Sequence, residues 1–195
     1  MRVIAGEAKS TRLVLPKGVA IRPTSDAVRE ALFSSLGSLV VGCRFLDVYA
    51  GTGAVGLEAL SRGAAACAFI ERDRRCVEAI RRNVENTRLS DRAIVVPGDA
   101  RRVLAPVLQG HGPFGIAFLD PPYADRSAAE VVAAILGSGR MEPPGRLVLQ
   151  HSRQAPPPGL PEPERIRLFG ETVLSLYVVA GAAASHSCEP LGEGK

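Results

Sequence analysis

The chain has 195 residues, 46% of them apolar and 23% charged, with 24 Lys and Arg against 20 Asp and Glu for a net charge of +4. That length suits one domain with a core of its own, and the composition excludes wholesale disorder and fibrous repeats. The longest apolar runs, such as residues 64–70, fall far short of the roughly 20 residues a membrane span needs.

In chain order, residues 3–5 and 13–15 flank a polar stretch and are expected to pair as a small basic β-hairpin. Residues 1–22 then form an N-terminal extension, 23–180 the main domain and 181–195 a small, polar, flexible tail. The start lacks the apolar stretch of a signal peptide, because Glu7 and Lys9 interrupt it. Most of the excess charge lies here, with Arg2, Lys9, Arg12, Lys17, Arg22 and Arg29 outnumbering Glu7, Asp26 and Glu30.

Val28, Leu32, Phe33 and Leu36 recur at helical spacing behind three candidate caps, Thr24, Ser25 and Asp26. A strand over 44–49 follows, then a glycine loop and a helix through Leu57 and Leu60 that stops at Gly63. Strands over 67–70, 93–96, 116–119 and 147–149 alternate with helices carrying Val77, Ile80 and Val84, then Val103, Leu104 and Leu108, then residues 130–136. This alternation predicts a parallel sheet covered on both faces. Five prolines between 155 and 164 make an irregular connection. Runs over 165–169 and 172–179, joined only by Gly170-Glu171, predict a C-terminal antiparallel hairpin.

Cys43, Cys67, Cys76 and Cys188 form no CxxC pair and have no His at zinc-ligand spacing. Neither a disulfide framework nor a metal site is expected, which points to a reduced cytoplasmic protein.

Asp47-Val48-Tyr49-Ala50-Gly51-Thr52-Gly53-Ala54-Val55-Gly56 contains a GxGxxG between strand and helix, and Glu71 ends the next strand 20 residues after Gly51. Glycines that let backbone approach an anion, with a carboxylate for a ribose diol, suit a nicotinamide cofactor or S-adenosylmethionine. The acid at Asp47 favours the second, since Asp-x-x-x-Gly-x-Gly resembles the first motif of the Rossmann-like methyltransferases. On that resemblance Asp47, Ala50, Gly51, Thr52 and Gly53 hold the methionine end. Glu71 and Arg72 take the ribose, and Asp99 and the Ala100 N–H the adenine. Asp99 also reads as a plain helix N-cap.

Asp120-Pro121-Pro122-Tyr123 follows the fourth strand. Two prolines after Asp can simply end a strand, but ligands in such sheets bind where this motif sits, at the carboxyl ends of the strands. The motif resembles the Asp-Pro-Pro-aromatic of methyltransferases acting on exocyclic amino groups of bases. There Asp120 and the Pro121 carbonyl would accept the two amino hydrogens, Pro122 would stiffen the loop, and Tyr123 would stack on the base. The base must be unpaired or flipped out.

Arg22-Pro23-Thr24-Ser25-Asp26-Ala27-Val28-Arg29-Glu30-Ala31-Leu32-Phe33, Gly56-Leu57-Glu58-Ala59-Leu60-Ser61-Arg62-Gly63-Ala64 and the start Arg2-Val3-Ile4-Ala5-Gly6 resemble the bacterial RsmD family, over residues 2 to about 179. That family comprises 16S ribosomal RNA guanine-N2 methyltransferases. The resemblance implies a Rossmann-like class I α/β fold, with a mostly parallel seven-stranded sheet and the two hairpins named above. It also implies S-adenosylmethionine as cofactor and 16S rRNA in the small subunit or its assembly intermediate as substrate; methyl transfer of this kind requires no metal, and a monomer is expected. Lys9 and Arg12 would contact phosphates. Arg22, Asp26 and Arg29 would face the substrate, or else form a cap with local ion pairs. The chain departs from the family at Gln150, where Glu is usual, and no role follows for Gln150. His151 reads equally as an ordinary surface histidine.

Three other readings carry part of the pattern. A DNA amino-methyltransferase lacks a target-recognition domain here. A nicotinamide oxidoreductase leaves Asp47 and residues 120–123 unexplained. An RNA-binding assembly factor with a vestigial cofactor site would tolerate loss of Asp120.

Overall fold

A computed structural model of the chain describes residues 1–16, 18–19, 24–122 and 127–179. Arg22, Tyr123 and the expected tail at 181–195 lie outside the described residues. The elements run α1 (Asp26–Leu36), β1 (Arg44–Val48), α2 (Ala54–Ser61), β2 (Ala66–Glu71), α3 (Arg74–Thr87), β3 (Ala93–Pro97), α4 (Ala100–His111), β4 (Phe114–Leu119), α5 (Ala128–Leu136), β5 (Met141–Ser152), β6 (Arg165–Phe169) and β7 (Thr172–Val179), with short 3-10 turns at Gly37–Val40 and Ser90–Arg92.

The sheet order is β3-β2-β1-β4-β5-β7-β6. β1 to β5 pair in parallel, whereas β7 runs antiparallel to both β5 and β6. This is the Rossmann-like class I methyltransferase architecture with its C-terminal antiparallel hairpin. Strand side chains alternate between faces, so Phe45, Phe69, Phe118 and Val148 pack with Leu32 and Phe33 of α1, Leu57 and Leu60 of α2 and Ile80 of α3. Leu46, Ile70, Leu119 and Leu149 pack on the other face with Leu104 and Leu108 of α4 and Val131 and Ile135 of α5. Both faces being covered, β1 reads as a nearly unbroken apolar run with a single acid, Asp47, buried in it.

Helix ends follow the expected chemistry. Ser25 caps α1, its side chain accepting from the Val28 N–H, and Asp73 and Asp99 cap α3 and α4 in the same way. Pairing along β5 is interrupted before Arg146, because Phe114 pairs with Met141 and Ile116 with Arg146. Pro143 and Pro144 in that interval have no N–H to offer a neighbouring strand, so only 147–149 reads as strand in the sequence.

The N-terminal hairpin is minimal: one antiparallel bridge, Arg2 with Arg12, closed by Val3 N–H to Thr11 O (3.0 Å) and Ser10 N–H to Val3 O (2.9 Å). Residues 3–5 and 13–15 form no longer ladder because other partners take their backbone. The Glu58 carboxylate accepts from Ile4 and Ala5 N–H at 2.7 and 3.0 Å. Asn83 accepts from Val14 N–H at 2.6 Å and donates to Val14 O at 3.1 Å. The extension therefore lies against α2 and α3, and Val3, Ala8 and Leu13 belong to the same hydrophobic cluster as α1 to α3. Among the described residues no helix is long and apolar enough to cross a membrane.

Candidate active site

Registers align the polar residues along one edge. Asp47 lies opposite Phe69 and Phe118, and Phe118 lies opposite Val148. Counting two residues on from each of Phe69, Phe118 and Val148 reaches Glu71, Asp120 and Gln150. The period of two thus puts Asp47, Glu71, Asp120 and Gln150 on one face, at the carboxyl ends of β1, β2, β4 and β5. Asp99 follows β3 on the outer side.

Between β1 and α2 the chain turns through left-handed conformations at Tyr49 (φ 62°), Gly51 (57°) and Gly53 (75°). Glycine takes such angles without penalty; Tyr49 does so at a cost of about 1–2 kcal/mol, the kind of strain found where a loop is shaped for a ligand. Glu71 holds the loop. One oxygen accepts from Gly51 N–H and the other from Arg72 and Asp73 N–H, each at 2.8 Å. Asp47 accepts from Gly56 N–H at 2.9 Å, tying β1 to the first turn of α2. A Cβ at Gly56 would come within 2.3 Å of the Phe69 ring, so this glycine sets the approach of α2 to the sheet.

These groups surround a cleft of about 370 Å³ lined by Asp47, Ala50, Gly51, Thr52, Glu71, Arg72, Asp120, Pro121 and Pro122. A small adjoining recess is lined by Tyr49, Glu71, Arg72, Gly98, Asp99 and Ala100. Within the cleft Thr24 donates to Asp120 at 3.4 Å. Burial above all pushes the Asp47 carboxyl well up from the usual carboxylate range. The negative charges of Asp120 and Glu71 add to this, and the bond from Gly56 N–H opposes it. Asp99 is held below the usual range, chiefly by Arg101.

Several expected residues sit elsewhere. Gly53 is buried and not among the cleft-lining residues; a Cβ there would press on Ile80 at 3.3 Å, and the residue caps the start of α2. Arg29 is fully enclosed, with Nη2 donating to Arg2 O (2.8 Å) and Asp26 (2.7 Å) and Nη1 lying 3.7 Å from Glu58, which leaves it no surface to offer a substrate. Asp26 is exposed and engaged by Arg29. Lys9 and Arg12 are exposed on the N-terminal extension, outside the cleft lining. His151 is no surface histidine: it is buried and bonded to Ser175 Oγ and Ser152 O, both at 3.0 Å.

The sequence reading missed Tyr49, Thr24 and Cys76, all of which line the cleft. Tyr49 was legible as the residue joining strand to glycine loop. The Cys76 thiol is pushed up to about 11 by burial first and the Glu71 charge second, so it is no nucleophile at neutral pH. Cys43, Cys67 and Cys76 are free thiols, and no group of described residues could hold a metal.

A family model described as conserved hypothetical protein 95 matches residues 1–178. The chain is 34% identical over 187 residues to the putative rRNA methyltransferase YlbH of Bacillus subtilis (strain 168), covering 93% of this chain and 100% of that one. It is 37% identical over 139 residues to the ribosomal RNA small subunit methyltransferase D of Escherichia coli (strain K12), covering 71% of this chain and 68% of that one. The chain belongs to the RsmD family of methyltransferases. Among solved structures, the putative methyltransferase yhhF of Escherichia coli matches with a TM-score of 0.75 at 32% identity, over 92% of this chain and 98% of that one.

As a member of the RsmD family the chain is an S-adenosylmethionine-dependent methyltransferase, and its cleft fits that cofactor. S-adenosylmethionine carries a sulfonium and an ammonium against one carboxylate. Three carboxyl groups, those of Asp47, Glu71 and Asp120, line the cleft and repel one another when it holds no cation. The loop between β1 and α2 brings Ala50, Gly51 and Thr52 to the cleft wall.

Proposed function

We propose that this chain methylates the exocyclic N2 amino group of a guanine in the 16S rRNA of the small ribosomal subunit. The observation that carries the reading is that Asp120-Pro121-Pro122 opens into the same cleft as Asp47, Glu71 and the glycine loop. The cofactor end and the amine-holding end therefore share one space. The rRNA substrate follows from the relatives named above, one of which is a small-subunit methyltransferase.

When bound, S-adenosylmethionine supplies a methyl group on a cationic sulfur, open to in-line displacement. Asp47 and Glu71 balance the positive charge, and Asp99 with the Ala100 N–H holds the adenine. A guanine N2 shares its lone pair with the ring and is a poor nucleophile. Asp120 accepts one amino hydrogen and the Pro121 carbonyl the other, which draws N2 toward tetrahedral geometry and aims its lone pair at the methyl. The N2–C bond forms as the S–C bond breaks, and the surplus amine proton leaves to Asp120 or to water. Pro121 and Pro122 limit backbone movement, so the two acceptors stay aimed. Tyr123 supplies the stacking face. Lys9 and Arg12 contact phosphates, and Arg22 faces the substrate. The enzyme works as a cytoplasmic monomer on the subunit or its assembly intermediate.

Incubation with labelled S-adenosylmethionine and small subunits lacking the modification, followed by digestion to nucleosides, tests this. Label is expected in N2-methylguanosine. Asp120→Ala should abolish it while cofactor affinity stays within about twofold, because Asp120 acts on the amine. Label in another nucleoside would overturn the base assignment. Full activity in Asp120→Ala would overturn the mechanism.

A further inference from the structure

Gln150 is 8% exposed, and its side-chain Oε1 is a buried acceptor with no hydrogen-bond partner. Buried polar atoms are nearly always satisfied, and leaving one unmade is costly. Oε1 is shut off from the cleft as the side chain stands, and a turn of the carboxamide about its last bond brings it there, so the orphan points to a donor that arrives with a ligand.

Its location says which ligand. Gln150 lines the cofactor cleft together with Asp120 and Phe118. It also lines a second groove, of about 350 Å³, formed by Thr24, Ser25, Ala27 and Val28 at the start of α1 and by Phe169 and Thr172 of the C-terminal hairpin. Thr24 and Gln150 are common to both, so they mark the junction between them. β4 and β5 are adjacent, and neighbouring strands lie about 4.8 Å apart, the scale of one edge of a purine. With an amine held at Asp120, the next group along that edge faces Gln150.

We propose that Gln150 is a specificity-determining residue whose Oε1 accepts the ring N1–H of the target guanine. The inference rests on the guanine reading above. In guanine the N2 amino group is flanked by N1–H, a donor, and beyond it O6, an acceptor. The carboxamide presents the complementary pair, Oε1 to N1–H and Nε2–H₂ to O6. Adenine offers only a bare N1 acceptor beside its amino group, so the carboxamide would turn to give it Nε2–H₂ and make one bond where guanine allows two. The second groove accommodates the rest of the flipped nucleotide. Gln150 thus gives this chain a reason to prefer guanine that the Asp-Pro-Pro motif does not contain, since that motif holds any exocyclic amine.

The test compares Gln150→Leu and Gln150→Glu with the unaltered full chain on small subunits lacking the modification. It reads kcat and KM for N2-methylguanosine formation and, separately, the Kd for S-adenosylmethionine. A ligand acceptor predicts a definite order. Gln150→Leu loses about tenfold in kcat/KM, the effect of one unmade hydrogen bond, with cofactor Kd and Tm unchanged. Gln150→Glu keeps the acceptor for N1–H but replaces the donor to O6 by an oxygen, so it loses activity but less than Gln150→Leu does. A purely structural Gln150 predicts the reverse, because Leu suits a buried position and an added carboxylate near Asp47 and Asp120 does not. That reversed order, or an unaffected Gln150→Leu, would overturn the assignment while N2-methylguanosine still formed. Label in a different nucleoside would instead bring down the guanine reading and this inference with it.

Discussion

Asp47 shows at the scale of one side chain how this cleft trades stability for binding. It is 1% exposed, accepts one hydrogen bond, and faces two further carboxyl groups. Its carboxyl is raised from an ordinary 3.8 by burial and then by its acidic neighbours. A group with a raised folded-state value stabilises the fold fully below its unfolded value, and that contribution is lost as pH climbs through the folded one. The empty protein should therefore lose stability as pH rises above about 4. A bound cation reverses the preference by favouring the carboxylate, so cofactor affinity should strengthen over the same rise. Asp47→Asn keeps an oxygen for the Gly56 N–H and removes the charge. We expect it to melt higher than the unaltered protein at neutral pH, with a flatter dependence of Tm on pH. Cofactor affinity should fall by roughly tenfold or more, the cost of losing a hydrogen bond to a charged partner. Thermal melts from pH 4 to 8 and calorimetric titration check both halves, and a variant that lost stability at neutral pH would contradict the account.

At the scale of elements, the N-terminal extension is a strap latched by α2 and α3. Asn83 is fully buried in α3 and bonds both Val14 N–H and Val14 O, and it also donates to Thr52 O at 3.0 Å in the glycine loop. One side chain thereby couples the strap to the cofactor loop. Asn83→Ala should cost about 1–3 kcal/mol, speed hydrogen exchange over residues 1–15 and weaken cofactor binding. Exchange confined to the strap, with cofactor affinity intact, would show that the Thr52 bond contributes nothing to the loop. The strap also marks the limit of what the sequence disclosed. Alternating strands and helices, the C-terminal hairpin and the acids along the strand ends were legible because each rests on local periodicity or on a motif at a strand terminus. The pairing of residues 3–5 with 13–15 was misread because Glu58 and Asn83, more than 50 positions away in sequence, take the backbone groups that pairing would need. Arg29 looked like a substrate contact because charge near a helix start is a local signal, whereas its burial comes from long-range packing. Gln150 stood out only as a departure from the family's Glu, and no role followed until the register of β4 and β5 set it beside Asp120.

At the scale of the whole molecule, charge is separated by role. The cleft holds Asp47, Glu71 and Asp120, while exposed cations lie on the strap at Arg2, Lys9 and Arg12 and on α3 at Arg74, Arg81 and Arg82. The two regions adjoin. Arg75 of α3 donates to Gly18 O at 2.9 Å, and Val19, the next residue, lines the cleft. A polyanion would be repelled by the cleft acids and drawn to the strap, which suits an RNA that docks by its phosphates and offers only one base inward. Lys9 and Arg12 are exposed and have no part in the interactions that latch the strap through Glu58 and Asn83, so reversing their charge should leave the fold and the cofactor Kd unchanged. Lys9→Glu with Arg12→Glu should raise the KM for the RNA substrate. It should also reduce the slope of log affinity against log salt by about one to two, since each lost phosphate contact releases roughly one counterion fewer. The salt dependence separates this role from a structural one. A destabilised strap would alter Tm and cofactor binding at every salt concentration, whereas a lost phosphate contact weakens RNA binding most at low salt. If KM and slope both stayed as they are, the RNA would have to dock on the arginines of α3, and the same measurement on Arg81→Glu with Arg82→Glu would then show the loss.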